Sequence, residues 1–136
     1  MAGDYTLTGL AVPEGLDALH DLLERIGAEH PQVSPADLML FETAVIEIAG
    51  NVVEHGRPPG KVNWTFTLTV HDDRLEARLS DDGVPFDGGH DLPGAEMPDA
   101  LAEGGRGFAL AGAVLDKLHY HRSEDTNHWQ LVRNLT

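Results

Sequence analysis

Three polar residues recur at a spacing of four along one segment of the chain. Glu47, Asn51 and His55 stand at positions i, i+4 and i+8, so on a helix they project from neighbouring turns of one side, each about 6 Å further along the axis. A carboxylate beside a neutral amide oxygen suits Mg²⁺, which keeps most of its waters and takes one or two protein oxygens beside phosphates. A solvated polar stripe on a helix has the same spacing. The pattern therefore indicates either a shared ligand site or an exposed helix face.

A pair of acids introduces the segment 81–87, which has the sequence DDGVPFD. Asp and Gly are the usual residues of an ordinary acidic turn. In a functional site, one of these carboxylates would accept a hydrogen bond from an exocyclic amine such as that of adenine, while Gly83 would let the backbone come close to the ring. The segment by itself leaves both interpretations open.

Glycines precede an apolar helical pattern in the segment 103–110, which has the sequence EGGRGFAL. Consecutive glycines before a helix N-terminus expose backbone N–H groups that suit phosphate, and Arg106 can add a charge-assisted contact. Between Arg78 and Arg106 there are seven acids and neither Lys nor Arg. An anion bound here would depend on backbone N–H groups, Arg106 and a metal ion, which favours a phosphate site that includes Mg²⁺.

Other ligand motifs fit poorly. A dinucleotide fingerprint requires a third glycine where Leu110 stands, and a P-loop requires Gly-Lys-Ser/Thr, which does not occur. The pair His119 and His121 occupies alternate positions of a predicted strand, with no third ligand apparent beside it. We therefore expect these histidines on the surface of a sheet and assign no zinc site.

The elements that must position these groups follow from hydrophobic periodicity. Ser34 is placed to cap a helix that starts at Pro35 and ends near Gly56. The order of elements predicts an α+β fold, a two-layer α/β sandwich whose mixed, mostly antiparallel sheet carries helices on one face. The predicted buried stripe of the capped helix consists of Leu38, Phe41, Val45, Ile48 and Val52. The other predicted elements are strands at 5–12, 62–70, 75–80, 118–122 and 129–135 and helices at 14–28 and 107–117.

Composition limits the class of protein. A chain of 136 residues without cysteine is expected to form one domain, residues 1–136, without disulfides. No basic leader and no long apolar run is evident, so we expect a cytoplasmic protein. The formal charge of −14, with Lys61 and Lys117 as the only lysines, argues against nucleic acid and anionic membranes as partners. The same field favours a basic protein partner, although acidity also simply confers solubility.

Together, the segments 47–56, 81–87 and 104–110 and the following Leu115-Asp116-Lys117 resemble the Bergerat ATP-binding fold of gyrase, Hsp90, histidine kinases and MutL. Within it, the chain is most similar to the small anti-sigma-factor serine/threonine kinases of the RsbW and SpoIIAB type. The likeness extends over roughly residues 5–135.

The resemblance implies roles for particular residues: Glu47 as general base, Asn51 as the Mg²⁺ ligand and Asp81 as the adenine contact. It makes the segment 86–104 an ATP lid, and its many Gly, Pro and acidic residues predict mobility. Many members of the wider fold carry a Thr near the last strand that contacts adenine through water, whereas this chain has Asn127-His128-Trp129, so that contact stays unassigned. The other residues expected to contact the cofactor are His55, Gly83, Phe86, Gly105, Arg106, Gly107 and Phe108.

The resemblance also implies an activity and partners. A kinase of this type binds Mg-ATP, sequesters a sigma factor and phosphorylates a serine or threonine of an anti-sigma-factor antagonist; a homodimer is one option for its assembly. The alternative is a non-catalytic, nucleotide-gated module that sequesters a regulatory protein partner. The presence of Glu47 favours the kinase, because phosphoryl transfer to a hydroxyl benefits from a base.

Overall fold

The computed structural model describes residues 3–56, 58, 60–85 and 111–135. The predicted lid and glycine turn lie outside these residues, as do five of the predicted cofactor contacts. Those five residues are Phe86, Gly105, Arg106, Gly107 and Phe108. The elements in the described part are β1 (Gly3–Leu10), α1 (Pro13–Glu29), α2 (Pro35–His55), β2 (Asn63–Val70), β3 (Arg74–Asp81), β4 (Lys117–Ser123) and β5 (Thr126–Asn134).

The five strands form one sheet in the order β1-β2-β3-β5-β4. All four pairings are antiparallel, so the described sheet contains no parallel pair, where the sequence predicted a mixed one. α1 packs on α2 and β1, and α2 packs on β3 and β5. The predicted two-layer α+β architecture is confirmed, with the last strand of the chain inserted between β3 and β4.

The helix that carries Glu47 and Asn51 begins and ends as predicted. The Ser34 hydroxyl accepts hydrogen bonds from the backbone N–H groups of Ala36 (3.2 Å) and Asp37 (3.4 Å), which satisfies donors that a helix start leaves free. At the other end, the Gly56 N–H donates to the Val52 carbonyl at 2.8 Å. Both boundaries therefore follow from local sequence.

The buried stripe of α2 is confirmed at Phe41, Val45, Ile48 and Val52, whereas Leu38 is only partly buried. Leu38 packs at the contact with α1 instead, where its Cδ2 atom lies 2.7 Å from the position of a Cβ on Gly27. A side chain at Gly27 would therefore require the Leu38 side chain to move. The inner face of the sheet completes the core with, among others, Trp64, Phe66, Leu68, Leu75, Leu118 and Leu131.

Two predicted boundaries are wrong near the C-terminus. The helix predicted to reach Lys117 is helical in the described residues only at 111–114, and Lys117 already starts β4. The last strand begins at Thr126, before the predicted start, because Glu124 and Asp125 (φ 53° and 62°) form a two-residue hairpin turn. In both places cross-strand pairing prevailed over the local pattern. Asn127 and His128 consequently lie within β5.

A buried ion pair connects the sheet to the start of α2. The guanidinium of Arg133 contacts Asp37 Oδ1 through Nη2 at 2.9 Å and Nε at 3.1 Å, and its Nη1 donates to the Val114 carbonyl at 2.6 Å. Asp37 is only 4 % exposed. One side chain of β5 thus holds both α2 and the helical turn that precedes β4.

Within the described part of the chain, neither helix combines the length and the apolar character that a bilayer crossing would require.

We expect Arg133→Met to lower the free energy of unfolding by about 3 kcal/mol, because removing one partner of a buried ion pair costs several kcal/mol. The matched control is Arg74→Met, since Arg74 contacts the exposed Asp73 at 2.9 Å and an exposed pair contributes less than about 1 kcal/mol. Urea denaturation of both variants measures the difference. Equal losses would contradict a structural role for the buried pair.

Candidate functional site

The predicted catalytic helix places Glu47 and Asn51 one turn apart, both partly buried. The Asn51 side-chain Nδ2 donates to the backbone carbonyl of Glu47 at 3.0 Å. This bond engages one of the two amide N–H donors and fixes the orientation of the amide, so that Oδ1 is the atom that can accept a hydrogen bond from a ligand or bind a cation. His55 is the last residue of the helix and is exposed, with its Nε2 atom 3.9 Å from Glu54 Oε2.

Of the two acids at the end of β3, Asp81 and Asp82, only Asp81 is buried, at 4 % exposure. Asp82 is exposed, and Asn63 binds both of its carboxylate oxygens, through the backbone N–H at 2.8 Å and the side-chain Nδ2 at 3.1 Å. Asp82 therefore fastens the end of β3 to β2. Asp81 faces the helix side of the sheet and is the carboxylate that can serve a buried ligand.

Both hydrogen bonds received by Asp81 go to the same oxygen. Its Oδ1 accepts from the Gly83 backbone N–H at 3.0 Å and from Asn127 Nδ2 at 2.9 Å. Since the described residues supply no hydrogen bond to Oδ2, that oxygen can accept one from a ligand. Burial raises the pKa of the Asp81 carboxyl above its ordinary value, while the bonds from Asn127 and Gly83 act in the opposite direction.

Asn127 makes a complete set of hydrogen bonds in this site. Besides Asp81, its Nδ2 donates to the Val84 carbonyl at 2.8 Å. Its Oδ1 accepts from the Tyr120 hydroxyl at 2.5 Å and from Arg122 Nη1 at 3.0 Å. Two donors converge on one end of the amide and two acceptors on the other, so the network admits a single amide orientation.

The β4–β5 hairpin also holds the turn that follows β3. Arg122 Nη1 donates to the Gly83 carbonyl at 2.9 Å, and Asn127 holds the next carbonyl, that of Val84. A Cβ on Gly83 would lie 3.1 Å from Asp81 Oδ1. The turn is therefore fixed at two successive carbonyls, and a side chain at Gly83 would crowd the carboxylate.

Val62 connects this turn to the end of the catalytic helix. Its Cγ2 atom lies 3.2 Å from the position of a Cβ on Gly83 and equally 3.2 Å from that of a Cβ on Gly56. The Asp81 turn and the C-terminal end of α2 thus contact the same side chain. The structure brings these two predicted regions together, while the predicted phosphate turn lies beyond the described residues.

Asn127, Arg122 and Tyr120 are the parts of this site that sequence reasoning missed. The sequence points to Asn127 only as the first residue of Asn127-His128-Trp129, the segment that contains no Thr near the last strand. The alternation of Trp129 and Leu131, both buried, continues backwards to Asn127 and would have placed it on the inner face. The indication that the sequence offered was an amide side chain, Asn127, on the same inner face of the sheet as Asp81.

An antiparallel sheet with helices on one face, and with a buried Asp-Gly turn beside the end of a helix carrying Glu and Asn, is the arrangement expected of a Bergerat-type nucleotide-binding domain. The family described as histidine kinase-like ATPase domain matches residues 10–133. Because this match covers most of the chain, the protein belongs to that family, and ATP is the nucleotide that the family implies. No curated protein matches the chain.

Asp81→Asn should abolish most of the rise in melting temperature that ATP causes, a rise worth about 2.7 kcal/mol at a hundredfold excess over the dissociation constant. An amide can present a donor where the ring amine requires an acceptor. Asp82→Asn is the matched control and should retain the rise. Thermal shift assays with and without ATP compare the variants, and an equal loss in both would contradict the assignment of Asp81.

The same variant tests the electrostatic state of Asp81. A raised carboxyl pKa means that ionisation of Asp81 lowers stability once the pH exceeds the unfolded-state pKa, and fully so above the folded-state pKa. Ligand-free Asp81→Asn should therefore gain stability relative to the wild type as the pH rises through that window. A stability difference that stays constant with pH would contradict a pKa of Asp81 raised by burial.

Asn127→Ala should move the titration of Asp81 to higher pH, because it removes a hydrogen bond that lowers the Asp81 pKa. We also expect ATP affinity to fall about tenfold, since the turn after β3 loses a buried attachment. Carboxyl ¹³C NMR and calorimetry measure the two effects. Asn63→Ala, which removes a hydrogen bond to the exposed Asp82, is the control and should leave the Asp81 titration in place.

Proposed function

We propose that this protein is an ATP-dependent serine/threonine kinase that acts as an anti-sigma factor. The observation that carries the proposal is the pairing on α2 of a partly buried carboxylate, Glu47, with the amide of Asn51, which donates a hydrogen bond to the Glu47 carbonyl (3.0 Å). This arrangement offers a proton acceptor and a neutral cation ligand one turn apart. The family match supports ATP as the phosphoryl donor.

The adenine ring is proposed to lie against the turn that follows β3. Asp81 Oδ2 would accept a hydrogen bond from the exocyclic amine, while Oδ1 stays bound to Gly83 and Asn127. Because Gly83 has no side chain, the ring has room to approach the backbone. A guanine ring would present its carbonyl oxygen to Asp81, so the carboxylate also provides the preference for adenine.

Asn51 is proposed to bind Mg²⁺ through Oδ1. The residue fits this role because its Nδ2 donates to the Glu47 carbonyl, which fixes the amide orientation and leaves Oδ1 as the atom with lone pairs for a cation. When bound, Mg²⁺ would neutralise charge on the ATP phosphates. The cation is especially useful in a chain whose formal charge is −14, since the protein itself supplies few positive groups to oppose the charge of ATP.

Glu47 is proposed as the general base. It would accept the proton of a substrate serine or threonine hydroxyl as the hydroxyl oxygen bonds to the γ-phosphorus. The bond between the γ-phosphorus and the bridging oxygen breaks, and ADP leaves with that oxygen. The proton ends on the Glu47 carboxylate, so the carboxylate must be ionised and within reach of the hydroxyl before transfer.

The proposed protein partners are a sigma factor, which the protein would sequester, and an anti-sigma-factor antagonist, which it would phosphorylate. Their support is the resemblance of the segments 47–56, 81–87 and 104–110 to kinases of that type. Candidate antagonists encoded by neighbouring genes are the substrates to test first.

Glu47→Gln separates the kinase from a non-catalytic binding module. The variant keeps shape and hydrogen bonding but loses the proton acceptor, so we expect phosphate transfer to an antagonist to fall by at least about two orders of magnitude. Binding of Mg-ATP and of the protein partner should stay close to that of the wild type. Transfer of labelled phosphate and calorimetric titration measure the two properties.

Asn51→Ala is the companion variant, because it should weaken Mg-ATP binding itself while leaving the base in place. Transfer by Glu47→Gln at the wild-type rate would remove Glu47 as base. If the wild type binds ATP yet transfers phosphate to no candidate antagonist, the nucleotide-gated binding module becomes the better hypothesis. Absence of ATP binding would overturn both.

A further inference from the structure

The face of the sheet opposite the helices carries a groove lined by basic and imidazole side chains. His119 and His121 on β4 and His128 on β5 line it together with Arg78 on β3 and Lys117 on β4, around a volume of about 300 Å³. His121 and His128 are cross-strand partners with stacked rings, 4.8 Å between centroids and 16° between planes. We call this feature the histidine groove. It fulfils the expectation of sheet-surface histidines and adds a third one.

The histidine groove differs in charge from the chain as a whole. Of its lining residues in the described part of the chain, none is acidic, although the whole chain has 23 acids against nine Lys and Arg. Glu76 is an acid of the same outer face, and its carboxylate is engaged by Gln130 at 2.7 Å, His71 at 3.1 Å and Arg78 at 3.2 Å. An anion in the histidine groove would therefore be close to basic side chains. Salt would screen its repulsion by acids that lie farther away.

Three histidines also suggest a transition metal, but the geometry disfavours it. Imidazole lone pairs lie in the ring plane, and the nearly parallel planes of His121 and His128 do not direct them to a common point. The His119 ring lies 6.2 Å from that of His121. Within the described residues, no group of three His, Cys, Asp or Glu side chains is arranged to hold a metal ion. Arg78 and Lys117 would in addition repel a divalent cation.

We propose that the histidine groove binds a phosphoryl dianion, either inorganic phosphate or the phosphoryl group of a modified side chain. Lys117 and Arg78 supply an ammonium and a guanidinium group for charge-assisted hydrogen bonds to the dianion, and Arg78 also contacts Glu76 at 3.2 Å. His128 has Nδ1 at 3.2 Å from the Ser80 hydroxyl, so its Nε2 is the ring nitrogen available to the ligand. The tetrahedral oxygens can then accept from donors on three strands at once. The site does not depend on the proposed kinase function, because it lies on the other face of the sheet.

The probes are inorganic phosphate, O-phospho-L-serine and sulfate, each titrated into the full chain while imidazole resonances are followed by NMR. We expect saturable shifts at His119, His121 and His128 with phosphate and a smaller response with sulfate, while His20 on α1 serves as the internal reference. Tighter binding of O-phospho-L-serine than of inorganic phosphate would identify a modified side chain as the source. Equal or weaker binding would identify free phosphate.

Arg78→Gln should weaken phosphate binding about tenfold, since it removes a charge-assisted contact. Arg74→Gln is the matched control: it lies on the same strand and face, outside the histidine groove, and should change affinity less than about twofold. Lys117→Gln provides an independent second variant. Equal losses in Arg78→Gln and Arg74→Gln, or shifts that do not saturate, would overturn the proposal. So would Zn²⁺ saturating the three histidines where phosphate does not.

Discussion

The pairing of β3 with β5 is the constraint on which the rest of the structure depends. It inserts the C-terminal strand between β3 and β4, so Leu131 and Trp129 complete the core beneath the helices. The same register sets Asp81 opposite Asn127 and brings Arg133 to Asp37 on α2. The core, the Arg133–Asp37 ion pair and the candidate site therefore all depend on this one register. A shift of the register by one residue would turn every side chain of β5 to the other face of the sheet.

The candidate site keeps a buried carboxylate at a cost to stability. Burial raises the Asp81 pKa, which means that the folded protein disfavours the ionised form needed to accept a ligand hydrogen bond. The bonds from Asn127 and Gly83 offset part of this cost, and both fall on Oδ1. Oδ1 thus accepts the hydrogen bonds from the protein, while Oδ2 can accept one from a ligand. A Thr at position 127 would offer a single hydroxyl, whereas Asn127 binds Asp81, the Val84 carbonyl and two donors from β4.

Sequence reasoning succeeded where structure is local. The Ser34 cap and the four buried residues of α2 follow from short-range chemistry, as does the alternation of β2. It failed where pairing is non-local: residues 115–117 leave the predicted helix because the Asp116 N–H joins the Val132 carbonyl at 2.7 Å. The Asn127 network was missed for the same reason, since its partners come from β3 and β4. From sequence alone, a polar residue near the start of a strand is assigned to a turn, because its cross-strand neighbours are not known.

The two faces of the sheet divide the charge of this acidic chain. On the helix face, Asp81 is the carboxylate that can meet a nucleotide, and Arg122 is committed to the Gly83 carbonyl and Asn127. In the proposed site a nucleotide would then depend on Mg²⁺, backbone N–H groups and Arg106, because Arg122 is already engaged by the protein itself. On the outer face, Arg78 and Lys117 stand in a groove lined without acids. Arg78 and Lys117 thus lie on the face opposite the candidate nucleotide site, so an anion bound in the histidine groove would not compete with ATP.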